Sequence, residues 1–424
     1  MRVWLVRHYE PMPTIDGTGR YLRYGMLARA LTDRGHEVVL WTSNFDHARK
    51  KQRFKNPPLS MEIWPGCNVR FLPTHEYKKN VSFDRVRHNL SLAKAFEQQA
   101  SLLGVRPDLI LACVPTLELA DKAIKYGQAN AIPVVIDVED EWPDLYLSAF
   151  PNQVRWLARI FLNSEFRRAK HILKSATAIV ACSNTYLSWA LNYAGRPQEE
   201  NDAVFPLGYM RPEAGMEIEP ETWRNRLRSD YGIRSDGFVV TFLGQFGASY
   251  DLETVIEAAR ILKADTGTLI QFVLAGDGDK GSKLRKQAGG LPNVFFTGWL
   301  DQAAMIALLR ISSIGLAAYT DQALQSLPYK PFEYMAAGLP IISSLRGEFK
   351  TLLDEEKIGM QYNAGNATSL ADCVKWFANQ PEARRQMGMR AIELFEERFS
   401  MEVICPQFVG HLIKIAGSSN AKTS

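Results

Sequence analysis

Short apolar segments alternate with amphipathic segments along most of this chain, and this alternation limits the possible folds. Residues 3–6 and 37–42 have the composition of buried strands, and residues 21–34 between them have the apolar period of a helix. A strand, a helix and a second strand in this order predict a βαβ unit with parallel strands. The sequence therefore predicts an α/β fold with doubly wound sheets. Further strands are predicted at 108–112, 133–138 and 178–181, and further helices at 84–103 and 153–174.

A chain of 424 residues is too long for one ordinary core and predicts two domains. Residues 205–222 are rich in Pro, Gly and Glu, and this composition indicates a connecting segment. We expect an N-terminal domain at 1–205 and a C-terminal domain at 206–398. A helix at 399–416 is expected to pack back on the first domain, and 417–424 to form a polar tail. The second series has predicted strands at 238–243, 269–275, 294–297 and 314–318, with helices at 252–265 and 302–310.

The segment 321–344, DQALQSLPYKPFEYMAAGLPIISS, predicts a loop, a short helix and a buried strand. Pro331 fits the first turn of the helix, so the residues before it lie at a helix N-terminus. Backbone N–H groups and the Lys330 ammonium at that position favour a phosphate or diphosphate. Glu333, one turn further, could bind both hydroxyls of a ribose. The alternative is a surface lysine beside a first-turn glutamate that faces solvent.

Residues 326–342 read S-L-P-Y-K-P-F-E-Y-M-A-A-G-L-P-I-I. This stretch resembles the GT4 family of retaining, nucleotide-sugar-dependent glycosyltransferases, in particular members that build bacterial surface polysaccharides. The resemblance implies the GT-B fold, in which two Rossmann-like domains face each other across a cleft. Glu333 matches the second glutamate of the family's Glu-x7-Glu signature, but Gln325 stands in place of the first. An amide can still hydrogen-bond sugar hydroxyls but brings no charge. The resemblance also implies that Ser326, Leu327 and Phe332 bind the donor.

Three further pieces, F-L-G-Q-F-G, V-L-A-G-D-G and N-V-F-F-T-G-W-L, occur in the order found in the C-terminal half of GT4 enzymes. Ligands bind at the carboxyl ends of parallel strands, where these loops are expected. By resemblance they line the nucleotide sugar. Each glycine could instead serve a tight turn, and Trp299 could instead cap the domain core. The donor-binding residues implied by these loops are Gly244, Gln245, Gly276, Asp277, Gly278 and Trp299.

Two loops of the first domain carry further candidates. Gly17, Gly19 and Arg20 follow the first strand, and the resemblance implies that they touch the donor phosphates. A plain turn is the alternative. Asp140 and Glu139 follow the strand at 133–138, and their carboxylates could accept a proton or stabilise positive charge on the sugar. The alternative is a solvated acidic turn. With Glu333 and Lys330, these two complete the expected catalytic set.

The five cysteines are far apart and form no C-x-x-C pair, so we expect reduced cysteines, no metal site and a cytoplasmic protein. No apolar segment approaches the ~20 residues of a membrane span. Basic residues at 49–55 and 154–174 could be solvated surfaces or could attract an anionic membrane, whereas no recognised module indicates nucleic acid. A peripheral position on the inner face of the cell membrane would fit the second interpretation.

We therefore expect a retaining glycosyltransferase (hexosyltransferase type) that moves a sugar from a UDP- or GDP-sugar to an acceptor hydroxyl, on a glycan or lipid-linked glycan in polysaccharide biosynthesis. The nucleotide sugar would be a co-substrate, and no other cofactor is expected. The alternatives are a non-catalytic sugar-nucleotide-binding protein and an epimerase of the same fold. Gln325, Glu139 and the lack of cations at 244–251 keep the first alternative open.

Overall fold

The computed structural model describes residues 1–17, 20–79, 82–148, 150–211, 220–263 and 269–423. These residues form two compact units. The N-terminal unit contains Met1–Pro206 and Ile404–Ser424, and the C-terminal unit contains Leu207–Val403. The boundary between Pro206 and Leu207 is next to the one predicted after residue 205. The second boundary, between Val403 and Ile404, lies within the helix predicted at 399–416.

The N-terminal unit is built on one mostly parallel sheet. The strands of the whole unit are β1 (Arg2–Val6), β2 (Glu37–Ser43), β3 (Phe45–Asp46), β4 (Lys51–Gln52), β5 (Met61–Trp64), β6 (Cys67–Leu72), β7 (Leu109–Val114), β8 (Val134–Val138), β9 (Ala178–Ala181) and β10 (Ala203–Val204). The sheet order is β10-β9-β8-β7-β1-β2-β6-β5, and only β5 runs antiparallel to its neighbour within it. β3 and β4 form a separate hairpin.

The helices of this unit connect the parallel strands. They are α1 (Pro13–Asp16), α2 (Arg23–Thr32), α3 (Phe83–Leu102), α4 (Leu117–Asn130), α5 (Asp144–Ser148), α6 (Arg155–Phe161), α7 (Asn163–Ser175) and α8 (Asn184–Ala194), with a 3₁₀ turn at Asn152–Val154. The single helix predicted at 153–174 is therefore wrong. The backbone leaves the helical region at Leu162 (φ −87°, ψ 8°), which separates α6 from α7.

Central strands of this sheet are buried along their whole length. β7, with the sequence LILACV, and β8, with the sequence VVIDV, are buried at every position, as expected for parallel strands covered on both faces. Trp4 and Trp41 pack edge to face with centroids 5.0 Å apart, and Phe96 from α3 packs against both. The one charged residue of β8, Asp137, pairs with the fully buried Arg23 at 2.9 and 3.1 Å.

The C-terminal unit has a second parallel sheet. Its elements are α9 (Pro220–Tyr231), β11 (Phe238–Leu243), α10 (Leu252–Leu262), β12 (Ile270–Ala275), α11 (Gly281–Gln287), β13 (Val294–Gly298), α12 (Gln302–Ile311), β14 (Ile314–Ala317), α13 (Tyr329–Ala336), β15 (Ile341–Ser343), α14 (Glu348–Glu356), β16 (Gly359–Gln361), α15 (Ala367–Asn379) and α16 (Pro381–Leu394). A π-helical turn at Phe395–Phe399 follows α16, and the next helix is α17 (Met401–Thr423), whose residues from Ile404 onward belong to the N-terminal unit. Residues expected to form a polar tail thus continue α17.

The order of this sheet, β13-β12-β11-β14-β15-β16, places a switch point between β11 and β14. The chain moves outward to one side from β11 to β13 and then returns to the other side of β11. Loops at the carboxyl ends of β11 and β14 diverge there and leave a crevice, which is the usual ligand position in such sheets. Among the described helices, none combines the length and apolar character that a membrane span requires.

Candidate functional site

Two glycine loops of the C-terminal unit pack backbone against backbone at the carboxyl ends of β11 and β12. Gly244 N donates to Ala275 O at 2.8 Å, and Phe246 N donates to Asp277 O at 2.9 Å. A Cβ at Gly276 would lie 1.9 Å from Gly244 O, so no side chain fits. Packing between the two loops alone therefore requires glycine at this position.

The loop after β12 is held by packing against the first loop and by polar contacts of Asp277. A Cβ at Gly278 would lie 2.8 Å from Phe246 N, so this glycine also serves the contact between the two loops. Asp277 Oδ1 accepts the Gly278 N–H at 2.9 Å, and both carboxylate oxygens lie 3.4 Å from the Arg285 guanidinium. Asp277 thus fixes the loop through its carboxylate.

Lys330 lies in the first turn of α13 and extends across the end of β11. Its Nζ is 3.8 Å from the centroid of the Tyr250 ring and 5.3 Å from that of Phe242, and it donates to Tyr250 Oη. A Cβ at Gly244 would lie 2.6 Å from Lys330 Cε. No carboxylate of the described residues lies within 4.0 Å of Nζ. The ammonium is therefore held by aromatic rings and keeps its charge available at the crevice.

Buried hydrogen bonds fix α13 against the sheet. Leu243 N donates to Tyr334 Oη at 3.0 Å, and that hydroxyl donates to Leu316 O at 3.2 Å. The helix is thus attached to the carboxyl ends of both β11 and β14. Glu333, three residues after Lys330, is 9% exposed, so the solvent-facing alternative for this glutamate is wrong.

The loop before α13 contains one buried polar atom without a partner. Gln325 Oε1 is buried and accepts no hydrogen bond from the described residues. Ser326 Oγ donates to Glu348 Oε2 at 3.1 Å, and Leu327 is buried. An unsatisfied buried amide oxygen is unfavourable by about 1–3 kcal/mol, so a ligand hydroxyl that donated to it would be favoured.

Three other predicted donor residues differ in exposure. Trp299, which follows β13, is 67% exposed, so it does not cap the domain core. Gln245 is also exposed. Phe332 is fully buried and stacks on Phe399 with centroids 4.7 Å apart. Its side chain packs in the core, and any role in donor binding would have to come from its backbone.

The N-terminal unit contains a chain of charges at the carboxyl ends of β1 and β8. Arg7 donates to Glu139 Oε2 at 2.5 Å and to Glu10 Oε2 at 2.8 Å. Glu10 Oε1 in turn accepts the backbone N–H groups of Leu22 and Gly25 at 2.6 and 3.0 Å. Burial raises the pKa of Glu139, and the Arg7 guanidinium opposes that rise. Glu139 is thus a paired and largely buried carboxylate, and the solvated acidic turn is wrong for this residue.

Asp140 has a different environment from Glu139. Burial raises the pKa of Asp140 to about 6, although the hydrogen bond from the Glu141 N–H at 3.0 Å favours its charged form. Burial, with the neighbouring Asp140 and Asp144 carboxylates, also raises the pKa of Glu141 to about 7. No ion pair of Asp140 occurs among the described residues. This carboxylate therefore titrates close to neutral pH.

The predicted phosphate loop is only partly described. Gly17 adopts the left-handed conformation (φ 71°) at the end of α1, Gly19 lies outside the described residues, and Arg20 follows in the connection to α2. Asp16, next to Gly17, forms a bidentate pair with Arg53 at 3.0 and 3.1 Å. The Arg53 side chain is 1% exposed, so it is not part of a solvated basic surface as the run at 49–55 suggested.

The sequence reasoning did not identify Arg7, Glu10 or Tyr250. The position of Arg7 and Glu10 directly after β1 was a usable signal, since loops after parallel strands form ligand sites. Tyr250 ends the loop after β11 and could have been identified in the same way. Their partners were not predictable, because Arg7 and Glu139 are 132 residues apart in the chain.

Two family models match consecutive parts of the chain. The model described as "Glycosyl transferase 4-like domain" matches residues 16–208, and the model described as "Glycosyl transferases group 1" matches residues 224–394. The chain belongs to the GT4 family of glycosyltransferases. The resemblance inferred from residues 326–342 is thereby confirmed.

Two of the curated relatives of this glycosyltransferase come from mycobacteria. The phosphatidyl-myo-inositol mannosyltransferase of Mycobacterium leprae is 30% identical over 139 residues, which cover 32% of this chain and 36% of that protein. The GDP-mannose-dependent alpha-(1-6)-phosphatidylinositol dimannoside mannosyltransferase of Mycobacterium tuberculosis is 24% identical over 210 residues, 47% of this chain and 52% of that protein. The matches thus span about a third to a half of these relatives.

Solved structures show the fold over nearly the whole chain. The Anabaena protein HepE in complex with UDP covers 98% of this chain and 100% of its own, with a TM-score of 0.66 and 16% identity. The same protein has also been solved with UDP-glucose. At this identity the likeness establishes the shared architecture, which confirms the predicted GT-B fold of two Rossmann-like units.

Proposed function

We propose that this glycosyltransferase transfers a sugar from a nucleoside diphosphate sugar to an acceptor hydroxyl, with retention of configuration. The observation that carries the proposal is the position of Lys330. Its ammonium lies at the N-terminus of α13 and at the carboxyl end of β11, without a carboxylate counter-ion among the described residues. A diphosphate at this position would receive both the lysine charge and the favourable electrostatic field of the helix terminus.

The other groups of the C-terminal unit have complementary roles in this proposal. Glu333 would bind ribose hydroxyls, and the unsatisfied Gln325 Oε1 would accept a hydrogen bond from a hydroxyl of the transferred sugar. Gly244, Gly276 and the loop around them would let the donor approach the backbone. UDP bound to the Anabaena protein and the GDP-mannose named for the mycobacterial relative support a UDP- or GDP-sugar as donor.

Catalysis would be mainly electrostatic. Lys330 and the α13 terminus would stabilise the departing diphosphate while positive charge develops on the sugar ring. Asp140, with a pKa of about 6, would be ionised at neutral pH and still basic enough to assist the acceptor hydroxyl. Glu139 would position this loop through its pair with Arg7. We propose no metal in the reaction, because the lysine supplies the positive charge beside the leaving group.

A lipid-linked glycan is the acceptor that we propose, in the synthesis of a polysaccharide. The phosphatidylinositol-based names of the mycobacterial relatives support an acceptor carried on a lipid. Such an acceptor would bring the protein to the cytoplasmic face of the cell membrane, where nucleotide sugars would also be available. The location is part of the proposal and is tested separately below.

The test compares UDP, GDP and their nucleosides in calorimetric titrations of the wild type and of Lys330→Ala. The variant should lose at least tenfold in affinity for the preferred diphosphate and little for its nucleoside, because the ammonium interacts with phosphate charge. Lys286→Ala is the matched control, since Lys286 is exposed on α11. Equal losses for diphosphate and nucleoside would contradict the assignment. If the sugar nucleotide is incubated with the protein without an acceptor, its conversion to an epimer would contradict the proposed transfer.

A further inference from the structure

Helix α6 of the N-terminal unit exposes most of its apolar side chains. Trp156 is 62% exposed, Ile160 63% and Phe161 84%, and Ala158 is the buried residue of this helix. A helix in a soluble domain normally buries its apolar stripe against the core. The exposed face of α6 is therefore unexplained by the packing of its own unit, and large exposed apolar patches usually mark an interaction surface.

Cations surround this apolar face. Arg168 on α7 pairs with Glu165 at 2.7 Å, whereas five other cations of α6 and α7 have no carboxylate within 4.0 Å among the described residues. The surface therefore combines apolar side chains with an uncompensated positive charge. The five cations are Arg155, Arg159, Arg167, Lys170 and Lys174.

A cavity of about 530 Å³ lies beside this surface. Among the described residues that line it, Asp144 is the one carboxylate, and it already accepts hydrogen bonds from Trp189 Nε1 at 2.9 Å and Tyr193 Oη at 2.5 Å. The cations of the cavity are therefore left to bind an external anion. Those that line it are Arg159, Arg167 and Lys170.

We propose that α6 and the basic cavity beside it bind the surface of an anionic phospholipid bilayer. Trp156, Ile160 and Phe161 insert at the level of the head groups, and the cations of α7 bind lipid phosphates. An exposed apolar helix face beside unpaired cations complements the apolar interior and negative surface of such a bilayer. The inference deepens the proposed function, because a lipid-linked acceptor would lie in the same membrane. Vesicle binding is nevertheless measurable without donor or acceptor.

The structure favours this surface over the basic run at 49–55. Arg53 is buried in its pair with Asp16, and the Lys50 ammonium lies 4.5 Å from the centroid of the Tyr77 ring. Lys51 and Lys55 are exposed, so they provide a matched control with the same number of removed charges.

The experiment measures binding of the full chain to vesicles of phosphatidylcholine alone and of phosphatidylcholine mixed with phosphatidylglycerol. Arg167→Gln/Lys170→Gln tests the cations, with Lys51→Gln/Lys55→Gln as its control. Ile160→Ser/Phe161→Ser tests the apolar face, and Phe83→Ser is its control because Phe83 is 89% exposed on α3. Circular dichroism and UDP binding check that each variant is folded.

The wild type should bind the mixed vesicles and prefer them to neutral ones. Removal of the Arg167 and Lys170 charges should weaken binding on the order of 30-fold, since each charge near an anionic surface contributes about 1 kcal/mol. The serine variant should also lose binding, and both controls should match the wild type. Failure of the wild type to bind mixed vesicles, equal binding to neutral vesicles, or an equal loss in the Lys51 and Lys55 control would overturn the proposal. None of these outcomes would change diphosphate binding at Lys330.

Discussion

Asp140→Asn should stabilise the N-terminal unit at neutral pH while it impairs turnover. Burial raises the pKa of Asp140 from 3.8 to about 6, so its ionisation in the folded protein is unfavourable. A shift of about 2 pKa units corresponds to about 3 kcal/mol, and partial solvent access reduces the expected gain to about 1–3 kcal/mol. Asparagine removes the charge and retains an oxygen for the Glu141 N–H at 3.0 Å.

Because the pKa of Asp140 is raised in the folded protein, the stability difference between the variant and the wild type depends on pH in a defined direction. Well below pH 4, Asp140 is protonated in both the folded and the unfolded wild type, so the charge makes no difference. Between about pH 4 and 6 the folded state binds more protons than the unfolded state, so wild-type stability falls as pH rises. Above about pH 6 the loss is complete. The free-energy gap between Asp140→Asn and the wild type should therefore open between pH 4 and 6 and then stay constant.

Urea unfolding at a series of pH values, followed by tryptophan fluorescence, measures this gap. The fully buried Trp4 and Trp41 report on the core of the N-terminal unit. Asp84→Asn is the control, because Asp84 is exposed in the first turn of α3 and should give no comparable gain. A variant that is no more stable than the wild type at pH 8, or a gap that is already fully open at pH 4, would refute the reasoning.

Activity gives an independent readout of the same substitution. If Asp140 assists the acceptor hydroxyl, kcat should fall by roughly 10²-fold or more while donor affinity stays near that of the wild type. A gain in stability with a loss of turnover is the signature of a carboxylate kept in an unfavourable site for function. Unchanged turnover would leave Asp140 as a structural loop residue.

Uninterrupted apolar strands were predictable from the sequence. The strands predicted at 178–181 and 238–243 coincide with β9 and β11, since such runs need no distant partner to be recognised. β6 was missed, because Arg70 interrupts its apolar pattern. That arginine lies 5.4 Å from the centroid of the Trp41 ring on the neighbouring β2, and a contact of this kind is not visible in the local sequence.

The candidate site also has features with a local signal in the sequence and features that depend on distant residues. Lys330 could be placed at a helix N-terminus because Pro331 and the following apolar pattern are local signals. The aromatic ring that holds its ammonium could not be predicted, since Tyr250 is 80 residues away in the chain. Glu139 was identified as a candidate from its position after β8, but its pairing with Arg7 changes its role from a free carboxylate to a charge that holds a loop.

Two further substitutions test the interpretation of each unit. Gly244→Ala should weaken diphosphate binding in calorimetry as Lys330→Ala does, because its Cβ would lie 2.6 Å from Lys330 Cε, whereas Gly247→Ala in the same loop meets no atom within 4 Å. Arg53→Gln should lower the free energy of unfolding by about 3 kcal/mol, since it leaves a buried carboxylate without its partner. The exposed Lys51→Gln should change it by less than about 0.5 kcal/mol. Similar small effects of the last two substitutions in urea unfolding would show that the run at 49–55 is a uniform solvated surface and that the buried ion pair is wrong.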